Sequence, residues 1–152
     1  MENILYQIVS GLLISVVTSW ITVRLSLKRF RSERMWERKV QAYEKIFESL
    51  HHLKAYCVAH LRAEESGSKL DDYRKEERYA KFKIALEEIN KYKDIGSFLM
   101  AVSAVERLNS FEKELDKSYE GKTIYEIADN QYGCVTSCIK DIDKIARADI
   151  KN

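Results

Sequence analysis

Residues 4–23 read ILYQIVSGLLISVVTSWITV, twenty positions without a charged side chain. As a helix rising about 1.5 Å per residue they reach about 30 Å, the thickness of a hydrocarbon core. A cleavable signal would open on a basic head and close on a small-residue cleavage site. Here the head is Met1-Glu2-Asn3 and the run closes on Trp20-Ile21-Thr22-Val23-Arg24. A helix buried in a globular core usually keeps a charged face, and this run has none. The stretch therefore predicts a retained transmembrane anchor over residues 1–23.

Working outward, Arg24, Lys28, Arg29, Arg31 and Arg34 crowd the C-terminal flank, against a single Glu2 on the other side. The positive-inside rule then puts the N-terminus outside and the rest of a single-pass protein in the cytoplasm. Cys57, Cys134 and Cys138, too few for a disulfide framework, suit a reducing compartment. The basic residues read as lipid-headgroup contacts, because anionic headgroups attract cations held near the surface. Within the anchor, Gln7, Gly11, Ser15, Thr18 and Thr22 follow spacings of 4, 4, 3 and 4 and gather within roughly an 80° arc. Gly11, Ser15 and Ser19 also form a small-xxx-small row that lets another helix come close. One such hydroxyl is explained by a bond to its own backbone. The full stripe points to helix association or a pore-facing wall.

Beyond the anchor the helical period continues through Trp36, Val40, Tyr43, Phe47, Leu50, Lys54, Cys57 and Leu61, with Ile46 and Leu53 widening the face. This helix is expected to stop at Ser66-Gly67-Ser68. A second covers residues 70–95, with Tyr79, Phe82, Leu86 and Ile89 inward. Ser97 is expected to cap a third, whose inner face is Phe98, Val102, Val105, Leu108 and Leu115. Thr123-Ile124-Tyr125-Glu126 is a capping box for the fourth, with Ile124, Ala128, Val135, Cys138, Ile142 and Ile145 inward and Asp149 next on that face. Short glycine-containing turns make these an antiparallel four-helix bundle over residues 36–152. Residues 24–35 form a basic juxtamembrane stalk. The fold class is all-α: a transmembrane helix continuing through a stalk into a bundle. Zero prolines in 152 residues and an apolar share of 45% fit long helices around one core.

Candidate chemistry is sparse. Glu48, His52, Tyr56 and His60 form an i+4 row that could hold a metal, but His52 points about 160° from Trp36, toward solvent, and no H-E-x-x-H spacing accompanies it. Cys138 falls on the core face and Cys134 at its edge, as small buried apolar groups do. There is no phosphate loop, G-x-S-x-G or kinase signature. No metal, cofactor or catalytic residue is expected, and the chain reads as a non-enzyme. Residues 24–63 carry ten basic side chains against four acidic, net +6. Headgroup contact and topology suffice to explain that block, so nucleic acid is not an expected partner.

At Leu27-Lys28-Arg29-Phe30, Trp36-Glu37-Arg38-Lys39, Ala42-Tyr43 and Leu50-His51-His52-Leu53-Lys54 the chain resembles small bacterial single-pass membrane effectors of anti-phage defence, such as the accessory proteins of type VI-B RNA-guided (CRISPR) systems. The resemblance covers roughly the first 60 residues. It implies a HEPN-like helical bundle, homo-oligomerisation through the anchor, a cytoplasmic defence-system partner, and membrane permeabilisation or depolarisation. The HEPN nuclease pattern needs an Arg and a later His with four to six residues between them. Here the nearest pair, His60 and Arg62, is reversed and two apart, which separates the side chains around the helix. The expected function is self-association and perturbation of the membrane. The alternatives are a membrane-tethered scaffold for a cytoplasmic partner and a ribonuclease using His51, His52, His60 and Arg62.

Overall fold

The computed structural model describes residues 2–66, 72–120 and 123–151, the side chains of 2–10, 13 and 72–75 lying outside that description. Among the described residues four helices follow one another: α1 Glu2–Glu65, α2 Asp72–Gly96, α3 Val102–Ser118 and α4 Ile124–Lys151. The all-α class is as expected, and so is the number of helices. Two compact units divide the chain, Met1–Glu37 and Arg38–Asn152. Among the described residues no helix is long and apolar enough to cross a membrane. The expected anchor is not met there; it draws on residues 4–10 and Leu13, whose side chains are outside the description.

In the second unit the core is supplied by all four helices. α1 buries Tyr43, Ile46, Leu50, Leu53 and Cys57, a 3,4,3,4 rhythm that keeps one face inward. That face is turned from the sequence expectation. Ile46 and Leu53 are central, while Val40, Phe47 and Leu61 are only half-buried flanks. Small residues account for the turn: Ala42 and Ser49 are buried, and the Ser49 hydroxyl donates to Glu88 of α2 at 3.0 Å. Trp36, expected at the head of the stripe, is 50% exposed.

α2 contributes Phe82, Ala85 and Ile89 to the core, whereas Tyr79 is exposed. The α2–α3 turn departs most from expectation. Ser97 does not cap α3: its hydroxyl donates back to the Asp94 carbonyl at 2.8 Å. The amides of Leu99 and Met100 both donate to the Gly96 carbonyl at 2.8 Å, so the turn is complete before α3 begins at Val102. The head of the expected face is therefore out of register: Phe98 and Val102 are 68% and 71% exposed, while Leu108 and Leu115 are buried as expected, joined by Ala104 and Phe111. α4 opens on the expected capping box. The Glu126 amide donates to the Thr123 hydroxyl at 3.1 Å and the Thr123 amide donates to the Glu126 carboxylate at 3.2 Å. Ala128, Val135, Cys138 and Ile142 face inward as expected, joined by Gln131 and Ala146, while Ile124 is exposed.

Cross-helix contacts set the directions. Lys39 meets Asp149 at 2.8 Å, and Lys54, further along α1, lies over the Tyr132 ring at 5.7 Å. Advancing along α1 thus retreats along α4. Ser49–Glu88 followed by Tyr56–Phe82, ring centroids 4.6 Å apart, does the same for α1 and α2. Arg107–Asp141 at 2.8 Å and the contact of Cys134 with the Glu114 carbonyl at 3.8 Å make α3 and α4 antiparallel too.

Candidate functional site

Two groups of residues on α1 carry the sequence expectations, and both lie in the Met1–Glu37 unit. The first is the small polar stripe. Gln7 is among the residues whose side chains are outside the description. The other four are placed by the helix on one face, and the three hydroxyls among them are already satisfied. Ser15 donates to the Leu12 carbonyl, Thr18 to Ile14 and Thr22 to Thr18, each at 2.8 Å. A Cβ added at Gly11 meets nothing within 4 Å. The stripe therefore leaves no hydroxyl donor of Ser15, Thr18 or Thr22 unmet, and what it offers is close approach, the feature that packs helices in lipid.

The second group is the basic flank, and the structure splits it. Arg29 pairs with Glu33 at 2.9 Å and Arg34 with Glu37 at 3.3 Å, both within one turn of α1. Arg24, Lys28 and Arg31 have no carboxylate partner among the described residues. They sit at i, i+4 and i+7, one side of the helix, and with Leu25 and Leu27 they frame a concavity of about 540 Å³. Arg24 also lies over the Trp20 ring, 4.6 Å from its centroid. The basic flank alone does not separate these three from Arg29 and Arg34; the pairing of those two with Glu33 and Glu37 does.

In the Arg38–Asn152 unit the polar chemistry converges on Asp149. Its carboxylate accepts from Lys39 Nζ at 2.8 Å, from Tyr43 Oη at 2.8 Å and from the Ala101 amide at 2.9 Å. Ala101 is the N-cap of α3 and has no side chain able to cap it, so Asp149 caps that helix from α4. Burial pushes the Asp149 carboxyl up, but the donors from Lys39, Tyr43 and Ala101 outweigh it and hold the group below the ordinary carboxylate range. Burial, then the adjacent Asp149, raises the Tyr43 phenol well above its usual value, which keeps it a donor. The sequence marks Asp149 as an acid on the next turn of an otherwise apolar face, but nothing local names the donors from Lys39, Tyr43 and Ala101 that meet it. Beside this node, Val40, Tyr43, Phe47, Ala146 and Ile150 floor a groove of about 450 Å³ between α1 and α4, with Glu44 and Arg147 among its charged margin.

The remaining candidates do not assemble into a reactive centre. His52 is exposed, with Tyr56, Ala59 and Arg78 around a concavity of about 280 Å³. Glu48 is engaged by Lys45 at 2.7 Å, and the His60 ring packs on Tyr56 with centroids 4.4 Å apart. Among the described residues no three His, Cys, Asp or Glu side chains are grouped to hold a metal ion. Burial pushes the Cys57 and Cys138 thiols up to about 12, which makes them poor nucleophiles.

What fold and site define together is an all-α protein of four helices, with a basic and a small-residue face on the first and a charge-linked helical core after it. No protein-family model, curated protein or solved structure matches the chain.

Proposed function

We propose that this is a non-enzymatic, membrane-anchored helical protein that self-associates through α1 and perturbs or permeabilises the bacterial inner membrane as an anti-phage defence effector. The single observation that supports this most is the stripe Gly11, Ser15, Thr18 and Thr22. It combines a small residue that leaves space for a neighbour with hydroxyls bonded to their own backbone. Such a surface loses little on entering lipid and gains dispersion contacts when a second helix lies against it. Anchoring rests on the uncharged run of residues 4–23 and on the basic residues that follow it.

The test is the mass of the detergent-solubilised protein by light scattering corrected for bound detergent. A discrete assembly is expected for the wild type. Gly11→Leu and Ser15→Leu should shift it to smaller species while both variants stay in the membrane fraction after alkaline extraction. Because the added Gly11 side chain starts in open space on its own chain, a loss of assembly reads out a neighbouring helix. Unchanged mass in both variants would remove the stripe from the mechanism.

A second reading, a tethered scaffold binding a cytoplasmic protein, is favoured by the apolar groove of Val40, Phe47 and Ile150 and by the exposed Phe98 and Val102. It predicts that α1 up to Val23 can be exchanged for an unrelated membrane helix with function retained.

A further inference from the structure

We infer that Arg24, Lys28 and Arg31 form a binding site for the phosphate of an anionic lipid headgroup, on the opposite side of α1 from the small-residue stripe. This rests on the membrane-anchored reading and assigns its lipid-facing side. At about 100° per residue, these three cations cluster about 140° around the helix from the mean direction of Gly11, Ser15, Thr18 and Thr22. The ion pair Arg29–Glu33 falls on the stripe's side, so that side is neutralised where a second copy would bring like charges together. Arg34 is turned onto Glu37. Arg24, Lys28 and Arg31, which have no carboxylate partner among the described residues, form one column on the side away from the stripe.

Three features of that column point to lipid. It rises about 10 Å from Arg24 to Arg31, enough to cross a headgroup layer of about 5–8 Å. Its first member is stacked on Trp20, a residue type that settles at the membrane interface. And Leu25 and Leu27, both exposed, flank the column and line the same concavity. Alternating apolar and cationic side chains match the boundary between acyl chains and phosphates, where long basic side chains lay their stems on apolar surface and send the charge outward. A nucleic-acid backbone offers phosphates but nothing to cover the leucines.

Native mass spectrometry of the full-length protein, released from equimolar phosphatidylglycerol and phosphatidylcholine, tests the site with charge-matched variants. The wild type is expected to retain phosphatidylglycerol preferentially. R24Q/R31Q should reduce that preference by tenfold or more, whereas R29Q/R34Q should leave it within about twofold. Equal losses in the two variants would overturn the assignment, since an undifferentiated basic flank behaves that way. Displacement of the lipid by inorganic phosphate at millimolar concentration would identify a free-anion site and overturn the headgroup. Displacement by a single-stranded RNA oligonucleotide would overturn it in favour of nucleic acid. Failure of the wild type to resist alkaline extraction from vesicles would sink the anchored reading itself; extraction resistance without lipid preference would sink only the site.

Discussion

Asp149 accepts from a lysine, a phenol and a backbone amide that come from α1 and the head of α3. Its side chain is 15% exposed, so these bonds are partly shielded from competing water. Removing the charge leaves Tyr43 and the Ala101 amide with weaker acceptors and Lys39 without its counter-ion. Asp149→Asn is therefore expected to cost about 2 kcal/mol in urea unfolding at pH 7, the scale of hydrogen bonds to a charged group. The sign of the pH dependence follows from the depressed carboxyl. Its contribution is fully present above the unfolded carboxylate range, about pH 4, and is lost as pH falls through the lower folded value. The gap between wild type and Asp149→Asn should be constant from pH 5 to 7 and close in acid. A gap that stayed open at pH 2 would mean the effect is packing and not charge.

At the scale of the element, each helix end is managed differently. α4 supplies its own start through the reciprocal Thr123–Glu126 bonds, a purely local device. Thr123→Ala should lower stability by about 1 kcal/mol, measured as a shift in the urea midpoint with an unchanged slope. α3 has no such cap of its own and borrows Asp149, which no local pattern announces. This is why the α4 boundary was legible in the sequence and the α3 boundary was not. The same holds for α1. Its helical period could be counted residue by residue, but the pairing of Arg29 and Arg34 with downstream glutamates competes with any headgroup role for those two.

For the whole molecule, the Arg38–Asn152 unit is bound by one core and by a polar link between each successive pair of helices. Ser49–Glu88 joins α1 to α2, Lys93–Glu112 joins α2 to α3 at 2.7 Å, Arg107–Asp141 joins α3 to α4, and Lys39–Asp149 returns to α1. Ionic links of this partly exposed kind orient helices more than they stabilise them. The core provides the stability, and Phe111 is its largest fully buried member on α3. Phe111→Ala should cost about 4 kcal/mol in urea denaturation followed by circular dichroism. A cost below about 1 kcal/mol would show that the site collapses around the missing ring.

The amino-acid sequence by itself determined the all-α class, the four helices, the approximate turns and the Thr123 cap. All of these are settled by hydrophobic period and by bonds within one turn of chain. It also set out the uncharged run of residues 4–23 and the cations after it, on which the membrane reading stands. Only the tertiary structure decided that Ile46 and Leu53 lie at the centre of the α1 face, that Phe98 and Val102 stand in solvent, and that Asp149 is a node. The reason is that a period names a face only to within a residue or so. Which residue reaches the centre depends on where small side chains such as Ala42 and Ser49 let a neighbouring helix approach. A buried acid is likewise tolerated only where donors from other helices converge on it.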